Sequence, residues 1–298
     1  MSVAEELAKY TREFNFYNLP PDVVHHAKRA MLDTLACAIG GYASDASQIV
    51  QKQIREMGGI EEATVIGSGL RTSCPGAALC NGVMVRYLDY NDTAFIQTEE
   101  AYRTGYHPSE VIPPILALSE RQHLSGKEII TAIVLGYELS LRFLECPVGR
   151  EMPQRGWNGD TRGAYIVPLI AGRMLQLDDK QIANAVGISG SNHAVLNILD
   201  VDGEEYTMTK NLRFPMMAYG GILATLMAQK GFTGPDRVIE GHHGFVEAVM
   251  NGEFEIDKLI DPQIRYVIRD TCLKSIIADY SSHGHLRATL QLVRENDI

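Results

Sequence analysis

The sequence predicts a mainly α protein. Apolar residues recur at three- and four-residue steps through most of the chain, helix start and stop signals bracket those stretches, and alternating β and α units are absent. The length of 298 residues allows one large domain, or one domain with a smaller second unit. With 45% apolar residues the chain can build a sizeable core.

Taken in order, residues 20–41 (PPDVVHHAKRAMLDTLACAIGG) open on Pro and Asp and close on Gly40-Gly41, which reads as one helix. ATVIGSG, residues 63–69, is a strand signal. A small-residue helix, PGAALCNGVMVRYLDYND, follows. Ser109 is placed to cap a helix after His107, and Pro113 fits its early turns. Ser125 and Glu128 form a capping box ahead of IITAIVLGYELSLRF, which is apolar nearly all round and therefore predicts a buried helix. Further helices are expected over about 179–189 and from about Thr209 to Lys230. After about residue 252 the composition becomes more charged and β-branched, with strand signals near 265–278, and one more helical pattern, HGHLRATLQLVREN, comes before Ile298. The expected division is a helical main domain over 1–261 and a second unit over 262–298.

Lys and Arg number 27 against 37 Asp and Glu, a formal charge of −10, which argues against non-specific nucleic-acid binding. It leaves room for a small anion in a local cationic pocket. No apolar run approaches the roughly 18 residues of a spanning helix, so no membrane association is expected. Residues 1–14 show neither a signal core nor a transit pattern. The five cysteines are odd in number and form no CxxC pair, as expected of reduced thiols in the cytoplasm.

Four stretches could carry chemistry. In YLDYNDT, Asp89 and Thr93 are four apart and face one pocket if the helix continues; nearby Asp89 and Asp92 could split their pKa values. The alternative is a solvated helix end. In YHPSEVIPP, His107 precedes a helix N-terminus, where an anionic substrate could rest; a structural histidine is the alternative. In TMTKNLRF, Lys210 and Arg213 place two cations near a helix start, against its dipole, which suggests carboxylate binding or else an exposed basic pair. CLKSIIADYSSHGH holds Lys274, Asp279, His283 and His285. That His-x-His pair, like His25-His26 and His242-His243, has no companion ligands at metal spacing, so no metal is expected.

Together these stretches resemble the MmgE/PrpD family. The resemblance rests on LDTLACAIGG, ATVIGSG, PGAALCNG, LDYNDT, HPSEVIPPILALSE, GYELSLR, GAYIVPLIAGRMLQLDDKQIANAVGISGS, TKNL, GGILATLMAQKGFTGPDRVIEGHHGF and LKSIIADY, in family order over almost the whole chain. It implies an all-α main domain, a smaller α/β lid and a homodimer. Known members dehydrate 2-methylcitrate, decarboxylate cis-aconitate or epimerise iminodisuccinate, without metal or organic cofactor. Asp89 and Thr93 match the family's Asp and Thr, His107 the His before Pro, Lys210 the Lys of its T-K motif, and Lys274 the Lys that opens its lid segment. Asp279 and Tyr280 stand for the last two residues of an Ala-Glu-Phe stretch in the dehydratase branch.

The resemblance thus implies a hydro-lyase acting on a tricarboxylate of the 2-methylcitrate or citrate type. Asp89, His107, Lys210 and Lys274 are its catalytic candidates; Thr93, Arg213 and Asp279 are its substrate-binding candidates. Asn158-Gly159 follow Gly156-Trp157 where the family commonly has a catalytic His, and Ser275-Ile276-Ile277 replace an aromatic and a Pro. Family members also continue beyond the length of this chain, so 262–298 would be the start of an incomplete lid. That predicts a Lys274 that is poorly placed or mobile in this chain alone, or else held by another subunit. The alternative to the hydro-lyase is an inactive or half-enzyme subunit that needs a partner chain for the rest of the lid, or a family decarboxylase or epimerase.

Overall fold

Local signals place most helices where the sequence expects them. The structure, a computed structural model, describes residues 1–97, 102–149 and 151–297. Its helices are α1 Val3–Glu13, α2 Pro21–Gly41, α3 Asp45–Met57, α4 Cys74–Tyr87, α5 Ile112–Gln122, α6 Gly126–Glu145, α7 Gly163–Met174, α8 Asp179–Asn192, α9 Arg213–Gln229, α10 Phe245–Ala248, α11 Ile256–Leu259 and α12 His283–Asn296. Two short antiparallel ribbons complete it: β1 Ala63–Thr64 with β2 Arg71–Thr72, and β3 Ala94–Gln97 with β4 Tyr102–Tyr106. The fold is mainly α. None of the described helices is long and apolar enough to cross a membrane.

The capping box at Ser125 forms as read: Glu128 N–H donates to Ser125 Oγ, and the Glu128 carboxylate accepts from Ser125 N–H at 2.9 Å. Asp178 and Gln181 do the same for α8. In α6 every residue from Thr131 to Phe143 is buried, in keeping with its all-round apolar sequence. Helix α4 is buried from Cys74 to Arg86 and packs against α2, α3, α5 and α9. Its small residues permit close approach. At Gly41 a Cβ would lie 2.1 Å from the Met84 carbonyl oxygen, so the backbones of α2 and α4 meet here and only glycine fits. A second group, α7, α8 and α9, packs beside it.

The structure corrects three local readings. Helix α4 stops at Tyr87, and Asp89 takes a left-handed φ of 49°, so Asp89 and Thr93 do not share a helical face. After His107 the chain makes a 3-10 turn, Pro108–Val111, before α5; Ser109 caps nothing with its side chain, and its backbone N–H donates instead to Asp92 Oδ1 at 3.1 Å. Strands are absent from 265–278. In their place stand a 3-10 turn, Val267–Asp270, and one isolated bridge between Thr93 and Cys272.

The reason is that side chains of α6, not neighbouring strands, satisfy the backbone ahead of this region. The buried carboxylate of Glu138 accepts from Arg265 N–H at 3.1 Å, and Arg142 donates to the carbonyls of Leu259, Asp261 and Gln263. Arg269 grips Asp22 through two bonds of 2.7 and 3.1 Å. The ring of Tyr280 packs 4.4 Å from that of Phe95. Residues 259–280 therefore lie against the helical body, whereas α12 is exposed along its length after His283.

Candidate active site

A cavity of about 650 Å³ lies where the end of α4, the loop before the 3-10 turn at Pro108, the Gly159–Arg162 turn and the start of α9 converge. Asp89, Thr93, His107, Lys210, Arg213 and Asp279 line it. These residues come from separate stretches of sequence, and only the tertiary fold gathers them.

Asp89 is held by two lysines. Lys274 Nζ donates to its Oδ1 at 2.8 Å and to its backbone carbonyl at 2.6 Å; Lys210 Nζ lies 3.4 Å from its Oδ2. Burial pushes the carboxyl up, but hydrogen bonding and charge from Lys274 outweigh it and hold Asp89 well below the usual carboxylate range. Asp89 is therefore ionised. The left-handed turn at Asp89 and the Thr93–Cys272 bridge, with N···O distances of 2.9 and 2.8 Å, bring Lys274 to this point. Lys274 is thus neither poorly placed nor exposed. Its ammonium is almost wholly buried, and its third donor goes to the Ala278 carbonyl at 3.2 Å. Lys210 keeps 29% of its side chain exposed and has donors to spare.

His107 keeps some exposure toward the cavity, yet protein atoms crowd the ring. Burial, and then the neighbouring Arg86 charge, lower its pKa to about 3. Its Nδ1 lies 2.5 Å from the Asp92 carbonyl oxygen. A carbonyl only accepts, so Nδ1 carries the proton and Nε2 is the bare nitrogen. Asp92 itself is fully buried and does not line the cavity. It takes Tyr137 Oη–H at 2.7 Å and Ser109 N–H, and burial raises its pKa despite those bonds. Its part is to brace the His107 loop.

Thr93 Oγ1 and Tyr106 Oη are buried, line the same cavity, and have no hydrogen-bond partner among the described residues. Hydroxyls placed this way can bond water or a polar ligand group in the cavity. Asp279 accepts from Ser281 N–H at 2.9 Å and caps a 3-10 turn, so it shapes the rim.

Sequence reasoning missed the charged wall behind these groups. Arg162 bonds Glu110 at 3.1 Å and Asp160 at 2.8 Å; Arg213 Nε lies 3.1 Å from Asp160, and its Nη1 is 2.9 Å from Asp200. Arg86 lies 3.3 Å from Glu110 as an ion pair, but the angle leaves Arg86 Nη1 and Glu110 Oε1 without a hydrogen bond among the described residues. Burial and then Asp160 raise the pKa of Glu110 against the two arginines, while Arg162 and Arg86 overcome burial to keep Asp160 low. The available signal was GDTRG, two charges set directly before the apolar run of α7. Asn158, where the resemblance led one to look for a histidine, lines the cavity and accepts from Asp160 N–H at 3.0 Å.

A helical body with a charge-braced cavity, a neutral imidazole and a lysine-held carboxylate defines the class of site. The chain belongs to the MmgE/PrpD family: the family's N-terminal domain matches residues 5–257. It is 25% identical over 254 residues to a cis-aconitate decarboxylase-like protein of Aspergillus oryzae, covering 82% of this chain and 50% of that one. The cis-aconitate decarboxylase of Aspergillus terreus is 26% identical over 250 residues, covering 81% and 49%. That of Homo sapiens is 26% identical over 251 residues, covering 82% and 50%. The chain spans about half the length of these curated relatives.

Proposed function

We propose that this chain carries the catalytic cavity of a lyase for a small polycarboxylate, of the 2-methylcitrate or citrate type. The observation that supports the reading best is the meeting of Asp89, Thr93, His107, Lys210 and Arg213 in one cavity. Elimination of water needs a base for the proton beside a carboxylate, cations for the charge that develops, and a donor for the leaving hydroxyl.

In this scheme Nε2 of His107 takes the carbon-bound proton. Arg213 and the unpartnered Thr93 hydroxyl hold substrate carboxylates. The C–O bond breaks as the hydroxyl takes a proton from the Lys210 ammonium and leaves as water. Asp89, being ionised, acts as an acceptor and not as the acid, and Lys274 holds it in place with two of its donors.

A second reading is decarboxylation of a cis-aconitate-like substrate, favoured by the names of the relatives above. In either case the chain works as a homodimer or together with a separate chain that completes the lid.

The test is to incubate the purified chain with 2-methylcitrate, citrate and cis-aconitate, and to follow the conjugated double bond by ultraviolet absorbance and the products by NMR. Turnover, or saturable binding by calorimetry, should fall by about a hundredfold in Lys210→Ala. The proposal is lost if no polycarboxylate binds, or if Lys210→Ala behaves as the parent. Activity that appears only when a chain carrying the remaining family segment is added would favour the two-chain form.

A further inference from the structure

One cluster of ligating side chains lies outside the cavity, in the Gly241-His242-His243-Gly244 turn. Adjacent residues ordinarily send their side chains to different sides. Here His243 adopts a left-handed φ of 59°, and the two imidazoles lie with ring centroids 3.8 Å apart. That backbone region is uncommon for a residue with a Cβ, so the turn stands in a costly conformation that brings two nitrogen donors together.

The turn is held firmly. Gly241 N–H donates to the Arg237 carbonyl at 2.7 Å, Gly244 N–H to Gly241 at 2.8 Å, and Phe245 N–H to Val238 at 2.8 Å. A Cβ on Gly244 would stand 2.7 Å from the Val238 carbonyl oxygen, so the tight path needs that glycine. The following helix, α10, supplies a third donor. One oxygen of Glu247 lies 2.8 Å from His242 Nδ1 and accepts from the His243 backbone N–H. The potential ligand atoms of His242, His243 and Glu247 all lie within 4.8 Å of one another.

We propose that His242, His243 and Glu247 form a surface site for a divalent transition metal of the zinc class. Two imidazoles and one carboxylate are a donor set that zinc accepts, with water completing the coordination, and nickel and copper favour the same nitrogens. All three residues are exposed, so an ion can reach them and the side chains can close the last ångström without disturbing the core. Such a site would tie the loop after α9 to α10.

The experiment is a zinc titration of the full chain by calorimetry, with a thermal-unfolding readout alongside. One zinc per chain should bind with a micromolar dissociation constant, and zinc in excess should raise the unfolding temperature. His243→Ala and Glu247→Gln should each weaken binding at least tenfold. His26→Ala should leave it unchanged, because the His25 and His26 rings stand 6.5 Å apart and no third ligand joins them among the described residues. The substituted positions are exposed, and circular dichroism will confirm that each variant folds. Absence of saturable zinc binding, or binding that survives either His243→Ala or Glu247→Gln, would overturn the assignment.

Discussion

His107 shows how a residue can be identified from sequence while its working state cannot. The motif before Pro108 marked it, but the Asp92 carbonyl sets its tautomer, and burial with Arg86 sets its charge. With a pKa near 3, the ring is neutral over the whole usable pH range of the free protein. We therefore expect the pH profile of kcat/KM to show no inflection near 6.5, the ordinary value for histidine. His107→Gln should reduce kcat by about 10²–10³, as loss of a general base does. A residual inflection near 6.5 in the parent would count against His107 as the base. Asp200 supports a second expectation. It is 38% exposed and holds Arg213 Nη1 at 2.9 Å, whereas Asp160, on the other side of Arg213, is buried and also held by Arg162. An incoming carboxylate competes with Asp200 for the guanidinium. Asp200→Asn should tighten the binding of citrate, read by calorimetry, by roughly 3- to 10-fold, since it removes one like charge at the edge of a partly screened site.

At the scale of elements, the α2–α4 crossing is the tightest test of the packing. A methyl group at Gly41 has no rotamer with which to escape the Met84 carbonyl, so the two helices must separate. Gly41→Ala should destabilise the chain by about 3 kcal/mol, measured as a lower denaturation midpoint with an unchanged m-value. Helix propensity alone would give the opposite sign, because alanine is the better helix former. The helices were legible because their signals are local. The capping boxes at Ser125 and Asp178 and the Pro21 start each act within one turn, and the apolar pattern of α6 declares its burial. The hairpin of β3 and β4 was not foreseen, nor was the irregular path after residue 260. There the partners of the backbone are Glu138 and Arg142, more than a hundred positions earlier in sequence.

Across the whole molecule, pH should act through carboxylates whose neutral form the fold prefers. Asp33 on α2 is half-buried, and burial together with the charge of Asp92 raises its pKa to about 6. Its folded value lies above its unfolded one. Its contribution to stability is therefore fully present below about pH 4 and is lost as pH rises through 6. The full shift corresponds to about 3 kcal/mol, which solvent screening of a half-exposed group reduces to roughly 1 kcal/mol. Asp33→Asn should be more stable than the parent by that amount at pH 7.5, and the difference should vanish at pH 4, both read from urea unfolding. A pH-independent difference would trace the effect to packing instead of ionisation.

Sequence by itself determined the mainly α class, the positions of most helices, the family, and the side chains that meet in the cavity, because caps, periodicity and ordered motifs are properties of short stretches. Asp89, Thr93, His107, Lys210 and Arg213 were all named from such stretches. Only the tertiary structure decided what state those side chains are in. Asp89 is ionised because Lys274, 185 positions away, donates to it. His107 presents a bare Nε2 because its Nδ1–H donates to the Asp92 carbonyl. The buried wall of Arg86, Glu110, Asp160 and Arg162 exists because three separated segments exclude water together. Charge state and tautomer depend on burial and on neighbours within a few ångströms, and a linear order of residues does not contain those distances.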